Sequence, residues 1–405
     1  MAVSLVLLAG VTTNGKGQYQ PPPYELPPIL YSSRKPDDDV SRLLQRISLG
    51  EVRFSGSDTD ILRTLLRELK VPVASQIVVF SKTSMQSGLV SPENPRALYF
   101  SDSIYVGWIP GGLIEITAID PELGPIYYAF DPQDARLQRR TFVRETSCLR
   151  CHGGSSHREI PALIARSVIT TSDGEILPGQ GFRFTDDGTP FEQRWGGWFV
   201  TGYTGALPHL GNSFATQDED FKPTRKRPSS LSEFFDTSHY LTDTSDVGAL
   251  LVFQHQLVMH NVLTRASHRS RRAPEDLEAI AENVVDHLLF RYAAPLPEGL
   301  RIDENFRREF TAYTPRAGNG GSLKDFSGQG RLFANRCSFL IGSEAFLALP
   351  PPLKEKIYHL LATALDEHAP DTRYAHLEAA ERRSILAILN ETHPEARKAF
   401  ARFIR

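Results

Sequence analysis

Residues 148 to 152 read Cys-Leu-Arg-Cys-His. Two thiols three residues apart can reach the two vinyl groups on one edge of a porphyrin and form thioethers with them. The histidine directly after the second thiol is then held against the iron as an axial ligand. This is the attachment signature of c-type haem. It predicts one covalent haem c on Cys148 and Cys151, with His152 as an iron ligand. A covalent tether lets haem sit in a partly open pocket without being lost. Three other readings use the same residues. One is a chance CxxC before a histidine. A thioredoxin-like redox pair is another, but no aromatic residue precedes Cys148 and no βαβ pattern surrounds it. The last is a cramped zinc site that adds His157 as fourth ligand.

The flanks fit haem. Gly153 and Gly154 free the backbone just after the ligand, and Arg144, Arg150, Arg158 and Arg166 crowd the motif. Arginine pairs bidentately with carboxylates, and haem propionates are carboxylates. Solvent-facing charge is the plainer account of most of these arginines, so none is singled out.

A second strong axial ligand makes a haem an electron carrier, whereas an open sixth position permits peroxide or oxygen chemistry. Methionine is scarce: Met1, Met85 and Met259 only, with the last two far from the motif in sequence. His209 lies in the loop GALPHLGN, where a side chain can be aimed freely, and is the expected second iron ligand. The remaining candidates are His255, Met259 and His260 on one predicted helix. His255 and Met259 share a face, but His255 and His260 are about 140° apart and cannot both reach one iron. Each of these residues can also be explained by packing, or by bonding to backbone or solvent. Trp108, Trp195 and Trp198 could wall the pocket or simply fill the core.

Several elements must position this site. SDTDILRTLLRELK (57 to 70) has helical apolar spacing, with Ser57 or Asp58 as a cap and Pro72 as a stop. QIVVF (76 to 80) reads as a buried strand. Residues 97 to 130 hold three β-rich runs parted by PGG and DPELGP, an antiparallel meander. Short strands are expected across 161 to 203. Beyond residue 246 the chain is mostly helical, roughly over 247–267, 274–291, 352–366, 375–389 and 394–404. The expected class is α+β: a β-rich N-terminal half with a haem-bearing loop, packed against a mainly helical C-terminal half. The expected divisions are 1–30, an export-signal remnant with a Pro-rich tether; 31–212, the β-rich part; 213–246, a polar loop; and 247–405, the helical part. The opening MAVSLVLLAG is like the apolar stretch of a secretory signal, although no Lys or Arg precedes it. A buried strand is the other reading of it.

Composition narrows the class. The 405 residues carry 45 Lys+Arg and 48 Asp+Glu, a net charge of -3, and a near-neutral balance argues against nucleic acid as a partner. No apolar run approaches the roughly 20 residues that span a bilayer, so the chain is not expected to be integral to a membrane. Three cysteines exclude a full disulfide framework and leave Cys337 as an expected buried free thiol.

From about residue 28 to about residue 366 the chain resembles a group of bacterial single-haem c-type cytochromes. The resemblance rests on FSKTSMQSGLVSPENPRALYFSDSIYVGW (80 to 108), CLRCHGG (148 to 154), RWGGWFVTGYTG (194 to 205), HQLVMHNVLTRA (255 to 266) and RCSFLIGSEAFLALP (336 to 350). It implies export across the cytoplasmic membrane, covalent haem c and a redox role without an assigned substrate. In that group the segment near residue 204 often reads TGTHG followed by RHMGN. Here Thr204 stands where a histidine is usual, while His209 remains, which leaves a role for the first histidine in question. The resulting expectation is an exported, periplasmic electron carrier between unidentified redox partners, proteins or a small molecule. The rival expectations are a haem peroxidase or oxygenase and a haem-based gas sensor.

Overall fold

The computed structural model describes residues 20–137, 139, 142–154, 159–215, 224–368 and 371–403. The apolar opening run, His157 and Arg158 lie outside the described residues.

Among the described residues nine strands and eleven α-helices follow one another in an α+β order. Two capped helices come first, α1 (Asp39–Ser48) and α2 (Asp58–Glu68). In each cap two side chains satisfy each other's backbone N–H groups, Asp38 with Ser41 and Ser57 with Asp60. Strands β1 (Ile77–Val79), β2 (Arg96–Phe100), β3 (Ile104–Trp108), β4 (Ile114–Asp120) and β5 (Gly124–Phe130) form the meander. A short α3 (Pro132–Arg136) leads to the edge strand β6 (Phe142–Arg144), and the CLRCH turn α4 (Leu149–His152) follows. β7 (Arg166–Val168) and β8 (Phe182–Phe184) pair as a separate ribbon, and β9 (Trp198–Phe199) joins the main sheet beside β1. The main sheet is antiparallel throughout, in the order β6-β5-β4-β3-β2-β1-β9.

The C-terminal half is helical: α5 (Val247–Arg272), α6 (Leu277–Leu288), α7 (Glu304–Thr311), α8 (Glu344–Leu347), α9 (Pro351–Leu365), α10 (Ala379–Thr392) and α11 (Pro394–Phe403). Asp246 starts α5 by accepting from the Gly248 and Ala249 N–H groups. Both α7 and α8 were absent from the sequence expectation. α7 is short and charged, yet Asp303 caps it and Phe306 and Phe310 share its buried face.

Alternation along the strands splits the sheet between two cores. Val78, Ala97, Tyr99, Val106 and Ile116 pack against α1 and α2. Ile77, Val79, Leu98, Phe100 and Tyr105 face the opposite way, towards α5. That helix is buried along nearly its whole length. Among the described residues no helix is long and apolar enough to cross a membrane. Part of the stretch read as a tether is docked, since Tyr24, Ile29 and Tyr31 are buried. Residues 224–246 of the polar loop are tied to the sheet as well: Gln76 Nε2 donates to the Thr242 and Thr244 carbonyls, and the Val78 N–H donates to Ser245 Oγ.

Candidate functional site

The CLRCH turn follows directly on β6, the edge of the sheet. The Glu145 side chain accepts from the Ser147 N–H and starts the turn. Helical winding through 146–152 sets Cys148 and Cys151, three apart, on one side. Gly153 leaves room for an N-terminal residue to lie against the turn: a Cβ there would collide with the Tyr24 hydroxyl.

Cys148, Cys151 and His152 all line one cavity of about 310 Å³, between the α5-facing side of the sheet, the turn and α5. That volume is at the small end of the range for cofactor sites. Phe253 and Leu257 of α5 and Trp198 of β9 close it on the apolar side. Cys151 is exposed and Cys148 half-buried, so the thiol edge is open to solvent. Burial, with the Glu115 and Glu145 carboxylates nearby, pushes the Cys148 thiol up to about 11.

His152 is fixed by three segments. Its Nδ1 is 2.7 Å from the Ala162 carbonyl, and the Ala162 N–H donates back to the His152 carbonyl at 2.8 Å. A carbonyl only accepts, so Nδ1 carries the proton and Nε2 keeps the lone pair. The Tyr127 hydroxyl donates to the same Ala162 carbonyl, and its ring lies 4.8 Å from the imidazole between centroids. Asn261 of α5 holds Leu163 by both of that residue's backbone groups, each at 2.8 Å. Burial, assisted by the Arg96 and Arg166 charges, lowers the His152 pKa. A neutral imidazole with one anchored nitrogen is the form that binds a metal.

The polar part of the cavity comes from strand register. Gly107 of β3 stands opposite Glu115 of β4. The Arg96 side chain from β2 crosses over Gly107 and forms an ion pair with Glu115 on the strand beyond. A Cβ at position 107 would collide with the guanidinium, so only glycine permits this crossing. Arg166 also lines the cavity and lies over the Phe182 ring at 4.8 Å. Four lining residues hold a buried polar group without a hydrogen-bond partner: Ser84 Oγ, Arg96 Nε, Tyr105 Oη and Arg166 Nε. Natural interiors rarely leave so many donors unmet in one place.

The other expected residues are distributed differently. His209 does not line the cavity; it is buried against Trp195 and Phe191, with ring centroids 5.5 and 6.2 Å away. His255 is bonded at both nitrogens, to Asp187 and Ser338. Met259 is fully buried in the core, and His260 reaches the Asp102 carbonyl from behind Tyr105. Met85, discounted for its distance in sequence, does line the cavity, with its sulfur 3.7 Å from Ser147 Oγ. Trp108 packs on the far face of the sheet, against Tyr240. Arg144 is spent on the Tyr31 and Arg34 carbonyls, and Arg150 is exposed. Cys337 is buried, and burial pushes its thiol up to about 12.

No family model, curated protein or solved structure matches the chain. Among the described residues no three or more His, Cys, Asp or Glu side chains gather into a group able to hold a metal ion. The functional reading therefore rests on the cavity and its residues.

Nothing in the local sequence pattern singles out Arg96, Glu115, Tyr127, Asn261 or Met85. A usable sign was the alternation in IEITAID (114 to 120), which sets Glu115 and Thr117 on one face of a strand that otherwise reads as core.

Proposed function

We propose that this protein is an exported single-haem c-type cytochrome that passes electrons between redox partners. One observation carries the reading: both thiols and the imidazole of CLRCH line the same cavity, and His152 is anchored through Nδ1 with no hydrogen bond to Nε2 among the described residues. Covalent haem would supply a one-electron couple there, with Cys148 and Cys151 as the attachment residues. Arg96 and Arg166, with their unmet N–H groups, are suited to hold two carboxylates such as propionates. Tyr127, Asn261 and Ala162 keep the imidazole in one tautomer and orientation. Residues of the cavity wall make Met85 a better second ligand than His209. Export is supported by the apolar opening run and by the compartment in which haem c is attached in the family it resembles.

A haem enzyme is the second reading, favoured by the Arg96–Glu115 pair, which places a charged donor and acceptor inside the cavity. The ferric absorption spectrum with and without cyanide separates the two. An electron carrier gives a six-coordinate spectrum that changes slowly with cyanide, and Met85→Ala speeds that change while His209→Ala does not. Rapid cyanide binding to the unaltered protein, with turnover of peroxide, overturns electron transfer in favour of the enzyme.

A further inference from the structure

A second cavity, of about 280 Å³, lies on the other side of α5. That helix gives Phe253 and Leu257 to the CLRCH cavity and Leu251 to this one. At about 100° per residue, Leu251 points about 160° away from Phe253. Phe290, Leu332 and Phe333 supply apolar wall; the polar lining is mostly cationic, with Asp187 as its one carboxylate.

Four arginines line the cavity, and their partners do not balance them. Arg331 and Arg336 share one carboxylate, Glu381, at 3.0 and 2.6 Å. Arg291 pairs with Asp286 at 2.7 Å. Arg194 is buried and donates only to neutral oxygens, the Thr189 and Asp187 carbonyls and Gln254 Oε1. The nearby Asp187 carboxylate is bonded to His255. Asp187 offsets Arg194 and Asp286 offsets Arg291, whereas Arg331 and Arg336 are two guanidinium groups on one carboxylate. Asp186, which also acts on Arg194, and Glu298, which approaches the Gly330 turn, are both exposed, so water and salt screen them. His376 donates Nε2–H to the Leu289 carbonyl and adds no acidic group. The Arg331 Nε–H is buried with no partner. The Arg331 side chain is part-exposed and paired with Glu381, but its enclosed Nε–H lacks the acceptor that would offset its desolvation.

We infer that this cavity binds a small monoanion with an apolar body: a monocarboxylate about the size of benzoate, its carboxylate on Arg331 and its body against Phe290 and Phe333. One excess positive charge suits one negative charge. A polyanion would leave charge uncompensated against apolar wall. The volume is near the lower limit for small-molecule sites, which excludes larger ligands. The inference stands apart from the haem reading, since neither the thiols nor His152 takes part.

Calorimetric titration of the purified full chain with benzoate, hexanoate and benzyl alcohol at fixed ionic strength tests it. Saturable one-site binding is expected for at least one acid, and none for the uncharged alcohol. Arg331→Gln should weaken the acid by about tenfold or more, the scale of one charge-assisted contact. Glu381 keeps Arg336 in that variant, and a thermal melt checks its fold. Leu332→Trp, which fills the cavity and alters no charge, should abolish binding and keeps the test decisive if Arg331→Gln does not fold. The inference is overturned by absent saturable binding of both acids, by equal binding of benzyl alcohol, or by unchanged affinity in the folded variants.

Discussion

His152 and His255 are oriented by the same device and end in opposite states. In each, one ring nitrogen is tied to an oxygen that only accepts: the Ala162 carbonyl at 2.7 Å for His152, the Asp187 carboxylate at 2.9 Å for His255. The difference lies at Nε2. At His255 it accepts the Ser338 hydroxyl at 2.8 Å, and both residues are fully buried. At His152 no hydrogen bond among the described residues occupies it, and the residue lines a cavity. Asp187, His255 and Ser338 repeat the tautomer logic of a hydrolase triad. Both Ser338 and His255 are fully buried, however, and the hydroxyl is spent on the imidazole. That string stitches three distant segments together. What separates the two is that His152 lines a cavity, whereas the second nitrogen of His255 is closed off by Ser338.

Acid should produce the largest change, because several further histidines are buried with no carboxylate bonded to them. Burial depresses His209, His260 and His268 from the ordinary 6.5 to about 4. Their contribution is present above pH 6.5 and is lost as pH falls through 4, since the unfolded chain takes up the protons first. Asp246 acts in the opposite sense: burial raises its carboxyl to about 7, so its contribution is present below 3.8 and is lost as pH rises through 7. The three histidines outweigh the one carboxyl. Urea denaturation at stepped pH should show a net loss on the order of 5 kcal/mol between pH 6.5 and 4. Stability that rises over that interval would contradict the burial of these imidazoles.

Asp187→Ala comes next and bears on the comparison directly. It removes the acceptor of His255 and the carboxylate nearest Arg194, and should cost about 3 kcal/mol in urea denaturation. The absorption spectrum of the haem-loaded protein should not move. A spectral change would mean that His255 belongs to the haem site after all.

Asn261→Ala should cost about 2 kcal/mol by removing two hydrogen bonds to Leu163. It should also shift the midpoint potential, because the backbone that fixes His152 is loosened. An unchanged potential would reduce Asn261 to a purely structural role. Ser338→Ala is the smallest effect, about 1 kcal/mol, with no change in potential or spectrum.

Much of this organisation was legible in the sequence, and the reasons differ by element. The CLRCH spacing is local chemistry, so three residues that line one cavity could be named as candidates without any fold. The meander and the Ser57 cap were legible because period-2 alternation and capping residues are short-range patterns. The cavity wall was not. Arg96 reaches Glu115 only because the register of three strands sets Gly107 between them, and register is a tertiary property. Met85 was dismissed on sequence distance, which the return of the chain along the sheet makes irrelevant. His209 was favoured because its loop is rich in Gly and Pro, yet that loop turns its imidazole inward onto Trp195.

The covalent attachment of haem is the claim on which the account turns. Intact-mass measurement of the full chain, produced in a host that matures c-type cytochromes during export, tests it most directly. The account predicts a mass increased by one haem that survives extraction with acidified ketone. It also predicts that the increase disappears when Cys148 and Cys151 are both replaced by alanine. A mass equal to the bare chain, or haem that is extracted into the ketone, would contradict it.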